Sequence, residues 1–298
     1  MAVRAGASTV REALQAATDA FRAAGVETPR LDAELLLGEA MGFDRAALVA
    51  VPDAAIEPPA ARSFAQMVRR RVRREPVAYI LGRKGFRRIE LAVDRRVLIP
   101  RPESELLVEV AHSIETRPRS TPLSIVDVGT GSGAVALAIA DEIDARVTAT
   151  DTSAAALGVA RANAERLGLA DRVRFVEGTL PAPGDAERDP DGNVRYDLIV
   201  ANLPYVREEE WKLLAPEIRE YEPREALAAG ATGLEAIEGL LAALGPSAVA
   251  ADAIALEVGE GQAQAVAERV RATGYESIDV ERDLAGIERV VSGTRVIA

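Results

Sequence analysis

The sequence lacks the residues on which several kinds of chemistry depend. It contains no cysteine and one histidine, His112. Disulfide bonds, thiolate metal ligands and a cysteine nucleophile are therefore excluded, as is a metal site built from several histidines. Catalysis must use other side chains, and His112, which falls within a helical pattern, is predicted to be structural.

Long hydrophobic runs are also absent. No stretch of 18 or more apolar residues occurs, and the first acidic residue, Glu12, precedes any apolar core of a signal peptide. We therefore expect a soluble, cytoplasmic protein that does not bind membranes. The 298 residues are 48% hydrophobic, which is enough for a sizeable core and for two domains.

Basic residues are outnumbered by acidic ones, 36 against 47, which gives a net charge of −11. Because phosphate contacts dominate affinity for nucleic acids, direct nucleic-acid binding is not expected. A local basic run permits two interpretations: a solvated helix face, which we favour, or contact with a nucleic acid or an acidic macromolecule. The run consists of Arg69, Arg70, Arg71, Arg73 and Arg74.

The N-terminal part of the chain has a helical pattern. Helical spacing of apolar residues predicts helices over residues 9–24, 28–42 and 59–75. After Pro76 the pattern becomes extended, from Val77 onward, and predicts a β-hairpin. We expect a helical partner-binding domain over 1–75, a hairpin linker over 76–99 and a catalytic domain over 100–298.

From residue 124 onward, strand-like and helical runs alternate. Four β units with crossovers of this length indicate an α/β fold with a doubly wound, mostly parallel sheet. A fifth strand follows at AIALEVG, and the last two strands are predicted to form an antiparallel hairpin at the sheet edge. The polar, turn-rich residues 181–194 predict a flexible surface loop.

The stretch IVDVGTGSGAVALAIA, residues 125–140, predicts a strand, a tight turn and a helix. Glycine is needed where the backbone turns sharply beside a ligand, and the following helix presents unpaired N–H groups there. The turn thus predicts a nucleotide site. It comprises Gly129, Thr130, Gly131, Ser132 and Gly133. Because Gly129, Gly131 and Ala134 also satisfy the dinucleotide-binding pattern, the identity of the nucleotide stays open at this point.

Two carboxylates narrow the choice of nucleotide. Asp151 ends the second strand, where a carboxylate can accept both ribose hydroxyls of a nucleoside. Its alternative role is to cap the helix that starts near Ser153. Asp127 lies beside the glycine turn, and its charge favours a cationic ligand group. It therefore favours S-adenosylmethionine over a dinucleotide pyrophosphate.

The fourth strand ends with Asn202, Leu203, Pro204 and Tyr205, at the sheet edge where α/β folds place their sites. Methylating an amide or an exocyclic amine requires acceptors for both N–H protons, because the nitrogen lone pair is delocalised. The Asn202 side-chain oxygen and the Leu203 carbonyl can supply them, close to the cofactor. Pro204 stiffens the loop, and Tyr205 offers a flat face to a planar group. The alternative is an ordinary strand end followed by a turn.

A proline-stiffened loop precedes the glycine-rich unit. Arg101, Pro102 and Glu103 are candidate substrate-binding residues because this loop can line the same site. Glu103 has an equally weighted alternative role, since an acidic residue in the first turn of a helix stabilises the helix dipole.

The chain as a whole resembles the PrmC/HemK family, methyltransferases that modify the glutamine side-chain amide of peptide chain release factors. Besides the glycine turn and NLPY, the blocks that carry the resemblance are GVETPRLDAELLL, PVAYILGRKGF, VLIPRPESELLVE, ATDTSAAALGVARANAERLG, EPREALAAGATGLE, ALEVGEGQ and DLAGIERVV. Together they cover nearly the whole chain. Two blocks depart from the family pattern, with NLPY in place of NPPY and ESE in place of ETE.

The resemblance implies a helical domain that binds the release factor, a β-hairpin and a seven-stranded methyltransferase sheet. It assigns residues 129–133 and Asp151 to S-adenosylmethionine and residues 202–205 to the glutamine of the substrate's GGQ motif. At the third strand the usual acidic or aromatic adenine contact is replaced, and Thr179 is the candidate there.

Three alternatives to this function remain at the level of sequence. NLPY also resembles the motif of adenine-amine methyltransferases that act on ribosomal RNA, which should carry a basic surface. A nicotinamide-dependent dehydrogenase would explain the glycines and Asp151 but would leave NLPY without a role. The non-enzyme alternative is a catalytically inactive binding module.

Overall fold

The structure is a computed structural model that describes residues 8–115, 121–180, 195–244 and 250–295. Its helices are α1 (Val10–Ala23), α2 (Pro29–Met41), α3 (Arg45–Ala50), α4 (Pro58–Val72), α5 (Val77–Leu81), α6 (Glu105–Glu115), α7 (Ala134–Glu142), α8 (Ala154–Leu167), α9 (Pro216–Tyr221), α10 (Glu235–Ala243) and α11 (Ala263–Ala272). Its strands are β1 (Arg83–Phe86), β2 (Ile89–Ala92), β3 (Leu123–Val128), β4 (Ala145–Asp151), β5 (Val173–Glu177), β6 (Arg195–Ala201), β7 (Ala250–Glu257), β8 (Ser277–Arg282) and β9 (Glu288–Thr294). The predicted loop over 181–194 lies outside the described residues.

The described chain divides into two compact units. Unit 1 comprises the residues up to Arg83 together with a returning segment, Ala215–Tyr221. Unit 2 comprises Lys84–Leu214 and the residues from Glu222 onward. In neither unit is any described helix long and apolar enough to cross a membrane.

Unit 1 is helical, and the three predicted helices are confirmed as α1, α2 and α4. Helix α1 begins with a capping box in which Thr9 and Glu12 satisfy each other's backbone N–H groups. Its apolar stripe, including Leu14 and Phe21, is buried in a core shared with Leu36 of α2. Periodicity was sufficient to predict α1 and α4 because both are long and amphipathic, whereas α2 was marked by Pro29 at its first helical position.

The extended conformation predicted from Val77 is wrong. Residues Val77–Leu81 form the single-turn helix α5, and Gly82 ends it in the left-handed conformation at φ +73°. Both Tyr79 and Ile80 are buried, although alternation along a strand would place them on opposite faces. The hairpin itself is shorter than predicted, a two-stranded sheet of β1 and β2 that ends at Ala92.

The basic run is mostly engaged in ion pairs within unit 1. Arg71 is buried, and its guanidinium lies 2.7 Å from Asp32 and 2.9 Å from Glu217. Arg74 approaches the other carboxylate oxygen of Glu217 to 2.5 Å. The favoured interpretation of a solvated helix face is therefore wrong for Arg71, while Arg69 is exposed as that interpretation predicts.

Replacing Arg71 by alanine should destabilise unit 1 strongly. The substitution leaves the buried Asp32 carboxylate without its cation, which costs about 3–5 kcal/mol. Thermal or urea denaturation of the full chain should show this as an earlier first transition. Arg69→Ala in the same helix is the matched control, with an expected change of about 0.5 kcal/mol or less. Equal stability of the two variants would contradict a structural role for Arg71.

Unit 2 contains a seven-stranded sheet in the order β5-β4-β3-β6-β7-β9-β8, which confirms the predicted fold class. The first five strands of this order pair in parallel, and β9 pairs antiparallel with both β7 and β8. The C-terminal hairpin at the sheet edge is thereby confirmed.

The strand order reverses beside β3, and this reversal sets the position of the site. The chain runs outward from β3 to β4 and β5, and then returns to β6 on the other side of β3. In the register of the sheet, Val128 lies opposite Thr150 on one side and Ala201 on the other. The residues that follow these strand ends must therefore meet at one edge of the sheet, at its topological switch point.

Candidate active site

The glycine turn that follows β3 depends on its glycines. Gly129, Gly131 and Gly133 have φ values of +75°, +57° and +84°, which L residues with side chains rarely adopt. A Cβ atom on Gly129 would lie 3.0 Å from Leu203 Cδ2 and 3.4 Å from the Asn202 carbonyl oxygen. Gly129 thus allows the turn and the NLPY loop to lie in direct contact.

Asp127 lies beneath this turn and is buried. Its carboxylate accepts hydrogen bonds from the Thr130 hydroxyl at 2.6 Å and from the Ala136 N–H at 3.2 Å. Burial raises the pKa of Asp127 to about 6, although both hydrogen bonds oppose the shift. The carboxylate therefore fixes the turn against the start of α7, and its side chain is not among those that line the cavity described below.

A buried amide holds the turn from its other side. Asn163 of α8 donates to the carbonyl of Ser132 at 3.0 Å. The same side chain exchanges two hydrogen bonds with the backbone of Ala92, at 2.7 and 3.0 Å. Because every one of these bonds is buried or partly buried, Asn163 makes a rigid connection between the hairpin and the glycine turn.

Asp151 ends β4, as predicted, and lies at the edge of the turn. One carboxylate oxygen accepts from the Gly131 N–H at 2.9 Å, and the other accepts from the Ser153 N–H at 2.8 Å. The cap of α8 is the Ser153 hydroxyl, which accepts from Ala156 N–H. Each oxygen of Asp151 has a further lone pair, so the carboxylate can accept additional hydrogen bonds from a ligand.

A cavity of about 490 Å³ lies at this edge of the sheet. Seven of the predicted site residues line it: Gly129, Gly131, Asp151, Thr179, Asn202, Leu203 and Pro204. Other predicted residues are not in its lining: Asp127, Thr130, Ser132, Gly133, Arg101, Pro102, Glu103 and Tyr205. A volume of this size suits a nucleoside-sized ligand.

Sequence reasoning missed one wall of the cavity. Helix α10 contributes Glu235, Ala236, Gly239, Leu240 and Ala243, and the segment before it contributes Pro223, Glu225 and Ala226. A third group, Arg96–Leu98, comes from the segment after the hairpin. The blocks EPREALAAGATGLE and VLIPRPESELLVE contain part of these residues, so the resemblance carried a signal that residue chemistry alone did not.

The NLPY loop lines the cavity and is held in place at its C-terminal end. The Gln262 side chain donates to the Tyr205 carbonyl at 3.1 Å and accepts from the Gly259 N–H at 2.9 Å. Val206 forms a parallel bridge with Ala228. Burial is the main reason that the pKa of the Tyr205 phenol rises to about 12, so the hydroxyl stays neutral.

The proline loop is anchored by one buried carboxylate. Glu222 accepts from the Ile99 N–H at 3.1 Å and from Arg101 Nη2 at 2.5 Å. The partly exposed Arg101 side chain is thus held in an ion pair with Glu222. Pro102 and Glu103 belong to the short 3-10 helix Pro102–Ser104 that leads into α6. Substrate binding by these three residues stays a prediction.

The class of protein follows from a family model that matches a part of the chain contributing to both the sheet and the cavity. A family model described as a methyltransferase domain matches residues 125–221, which span the glycine turn, Asp151 and the NLPY loop. The chain is therefore a methyltransferase with a Rossmann-like sheet.

The relatives of the chain identify the family. A second family model, the PrmC N-terminal domain, matches residues 12–82. The release factor glutamine methyltransferase of Nitratidesulfovibrio vulgaris is 37% identical over 97% of this chain and 96% of its own length. The protein of the same name from Bordetella pertussis is 41% identical over 89% of this chain and 94% of its own. The chain belongs to the release factor glutamine methyltransferase family.

A solved structure supports the fold alone. The hMettl16 catalytic domain, in complex with the MAT2A 3'UTR hairpin 6, superposes with a TM-score of 0.54 at 15% identity. The match covers 83% of this chain and 85% of that chain.

Proposed function

We propose that this chain transfers a methyl group from S-adenosylmethionine to the side-chain amide nitrogen of a glutamine in peptide chain release factors, the glutamine of their GGQ motif. The observation that carries the proposal is the contact between the glycine turn and the NLPY loop at one cavity, which Asn202 lines together with Asp151. The names of the relatives supply the substrate class. We therefore propose a cytoplasmic location, because release factors act there to terminate translation.

The residues of the cavity fit S-adenosylmethionine. Asp151 has lone pairs available for ribose hydroxyls, and Gly129 and Gly131 let the backbone lie against the ligand without a Cβ atom between them. We assign Asp127, Thr130, Ser132 and Gly133 to the shaping of this turn, and Thr179 to the wall of the cavity. When bound, the cofactor supplies a methyl group that its sulfonium makes electrophilic.

The amide nitrogen of glutamine is a poor nucleophile because its lone pair is delocalised into the carbonyl. We propose that the Asn202 side-chain oxygen and the Leu203 carbonyl accept its two N–H protons, which orients the nitrogen and stabilises the positive charge that develops on it. We propose that Tyr205, whose raised pKa keeps its phenol neutral, offers a flat aromatic face to the planar amide. The methylated nitrogen then loses a proton to water, so no general base is required.

We propose that the helical domain over residues 1–75 recognises the release factor. A hairpin linker over 76–99 and the catalytic domain over 100–298 follow it in the proposed domain division. Arg101, Pro102 and Glu103 are proposed to contact the substrate near the cavity. An acidic chain of net charge −11 suits a protein substrate better than a nucleic acid.

The test is a transfer assay with labelled S-adenosylmethionine and purified release factor. We expect label on the release factor, and none on a release factor whose GGQ glutamine is replaced by alanine. Ribosomal RNA is the second substrate arm, and NADH binding is measured in parallel. Label on RNA alone, or NADH binding without S-adenosylmethionine binding, would refute the proposal.

A further inference from the structure

Two linked hydrogen bonds lead away from Asn202, the first partly buried and the second buried. The Asn202 amide Nδ2 donates to the Ser104 hydroxyl oxygen at 2.9 Å. The Ser104 hydroxyl donates to Glu257 Oε2 at 2.6 Å. Ser104 is 4% exposed and Glu257 is 1% exposed. Three elements distant in sequence thus meet, the end of β6, the 3-10 helix before α6 and the end of β7.

The direction of these bonds is set by the carboxylate. An ionised carboxylate only accepts hydrogen bonds, so the Ser104 proton must point toward Glu257. The lone pairs of the Ser104 oxygen then face Asn202 and require a donor there. The Asn202 amide meets this requirement only with its NH₂ group toward Ser104, which leaves its oxygen, Oδ1, available to a substrate.

We propose that Glu257, acting through Ser104, is a positioning residue that fixes the orientation of the Asn202 amide for methyl transfer. This inference rests on the proposed function, in which Asn202 Oδ1 accepts an N–H proton of the substrate amide. Reversal of the Asn202 amide would present a donor to that proton instead of an acceptor.

Protonation of Glu257 would reverse the direction of both hydrogen bonds. Burial raises the pKa of Glu257 to about 7, although the hydrogen bond from Ser104 acts to lower it. The charged and titratable groups that act on it are Glu103 and Arg101 before α6, Arg289 of β9 and Tyr205 after β6. A protonated Glu257 can donate to Ser104, whose own proton then turns to Asn202 and stabilises the reversed amide. Methyl transfer should therefore fall as pH drops through about 7.

The first arm of the test replaces Ser104. Ser104→Ala should lower kcat about tenfold, because a misaligned acceptor no longer meets the reacting amide. Affinity for S-adenosylmethionine should stay near wild type, whereas the melting temperature should fall, because the buried Glu257 carboxylate loses the hydrogen bond from Ser104. Ser104→Thr, which keeps the hydroxyl, should restore most of kcat. Ser113→Ala is the matched control, since the Ser113 hydroxyl donates to the Val110 carbonyl within α6. Full kcat in Ser104→Ala, or equal loss in Ser104→Thr, would overturn the positioning role.

The second arm measures kcat against pH in wild type and in Glu257→Gln. The wild type should lose activity on the acidic side with a midpoint near 7. Glu257→Gln carries no titrating carboxyl, so its profile should lack this limb and stay at a reduced level. An acidic limb whose midpoint stays near 7 in Glu257→Gln would overturn the inference. If the wild-type protein transferred no label to the release factor, the proposed function would be refuted, and the inference with it.

Discussion

Replacing Asn202 by alanine is expected to abolish methyl transfer, with kcat lowered about 100-fold or more. The loss follows from removing one of two acceptors for the substrate N–H protons at the moment when positive charge develops on nitrogen. The affinity for S-adenosylmethionine should change little, because Asp151 and the glycine turn remain. Single-turnover transfer to the release factor and calorimetric titration with the cofactor measure the two effects separately.

The matched control for this variant is Gln264→Ala, which removes an exposed amide that donates to Glu268 on α11. Its transfer rate should equal that of wild type. If Asn202→Ala retained its transfer rate but lost cofactor affinity, Asn202 would be a cofactor ligand and the acceptor role would be wrong.

Asp151→Ala is expected to raise the dissociation constant of S-adenosylmethionine about 100-fold, since each hydrogen bond to a charged group contributes about 1.5–3 kcal/mol. The variant loses the proposed bonds to the ribose hydroxyls. It also loses the bonds from the Gly131 and Ser153 N–H groups that shape the cavity. Titration calorimetry with S-adenosylhomocysteine, the demethylated product, checks the affinity without turnover.

Asp279→Ala provides the control for Asp151, because Asp279 is an exposed aspartate on the edge strand β8. Cofactor affinity should be unchanged in that variant. An Asp151→Ala protein that binds the cofactor as tightly as wild type would remove Asp151 from the binding site.

The central part of the sheet could be predicted because its strands are short runs rich in apolar residues, and because the helices α7 and α8 connect β3 to β4 and β4 to β5. The position of Asp151 at the end of β4 followed from the same pattern. Once the strand order is known, Gly129 and Asn202 must be neighbours, because Val128 and Ala201 pair in the register. Local pattern and topology together therefore predicted that the glycine turn, Asp151 and the NLPY loop lie at one cavity.

Other features depend on contacts between residues far apart in sequence, which local patterns do not encode. Ser104 and Glu257 are 153 positions apart, and nothing in either neighbourhood marks them as partners. In the sequence nothing distinguishes Arg71 from the other arginines of its run. Its role follows only from its contacts with Asp32 and Glu217 in the folded protein. The short helix α5 was missed because five residues are too few to show helical periodicity.

The returning segment Ala215–Tyr221 makes unit 1 discontinuous in sequence. The polypeptide passes between the two units three times, so no single cut separates them into two complete pieces. A fragment that begins after Arg83 would carry α9 without the helices of unit 1 and leave Glu217 without Arg71 and Arg74. Proteolytic separation, domain exchange with a relative or expression of the catalytic domain alone would each need residues 215–221 to be redesigned as solvent-facing surface.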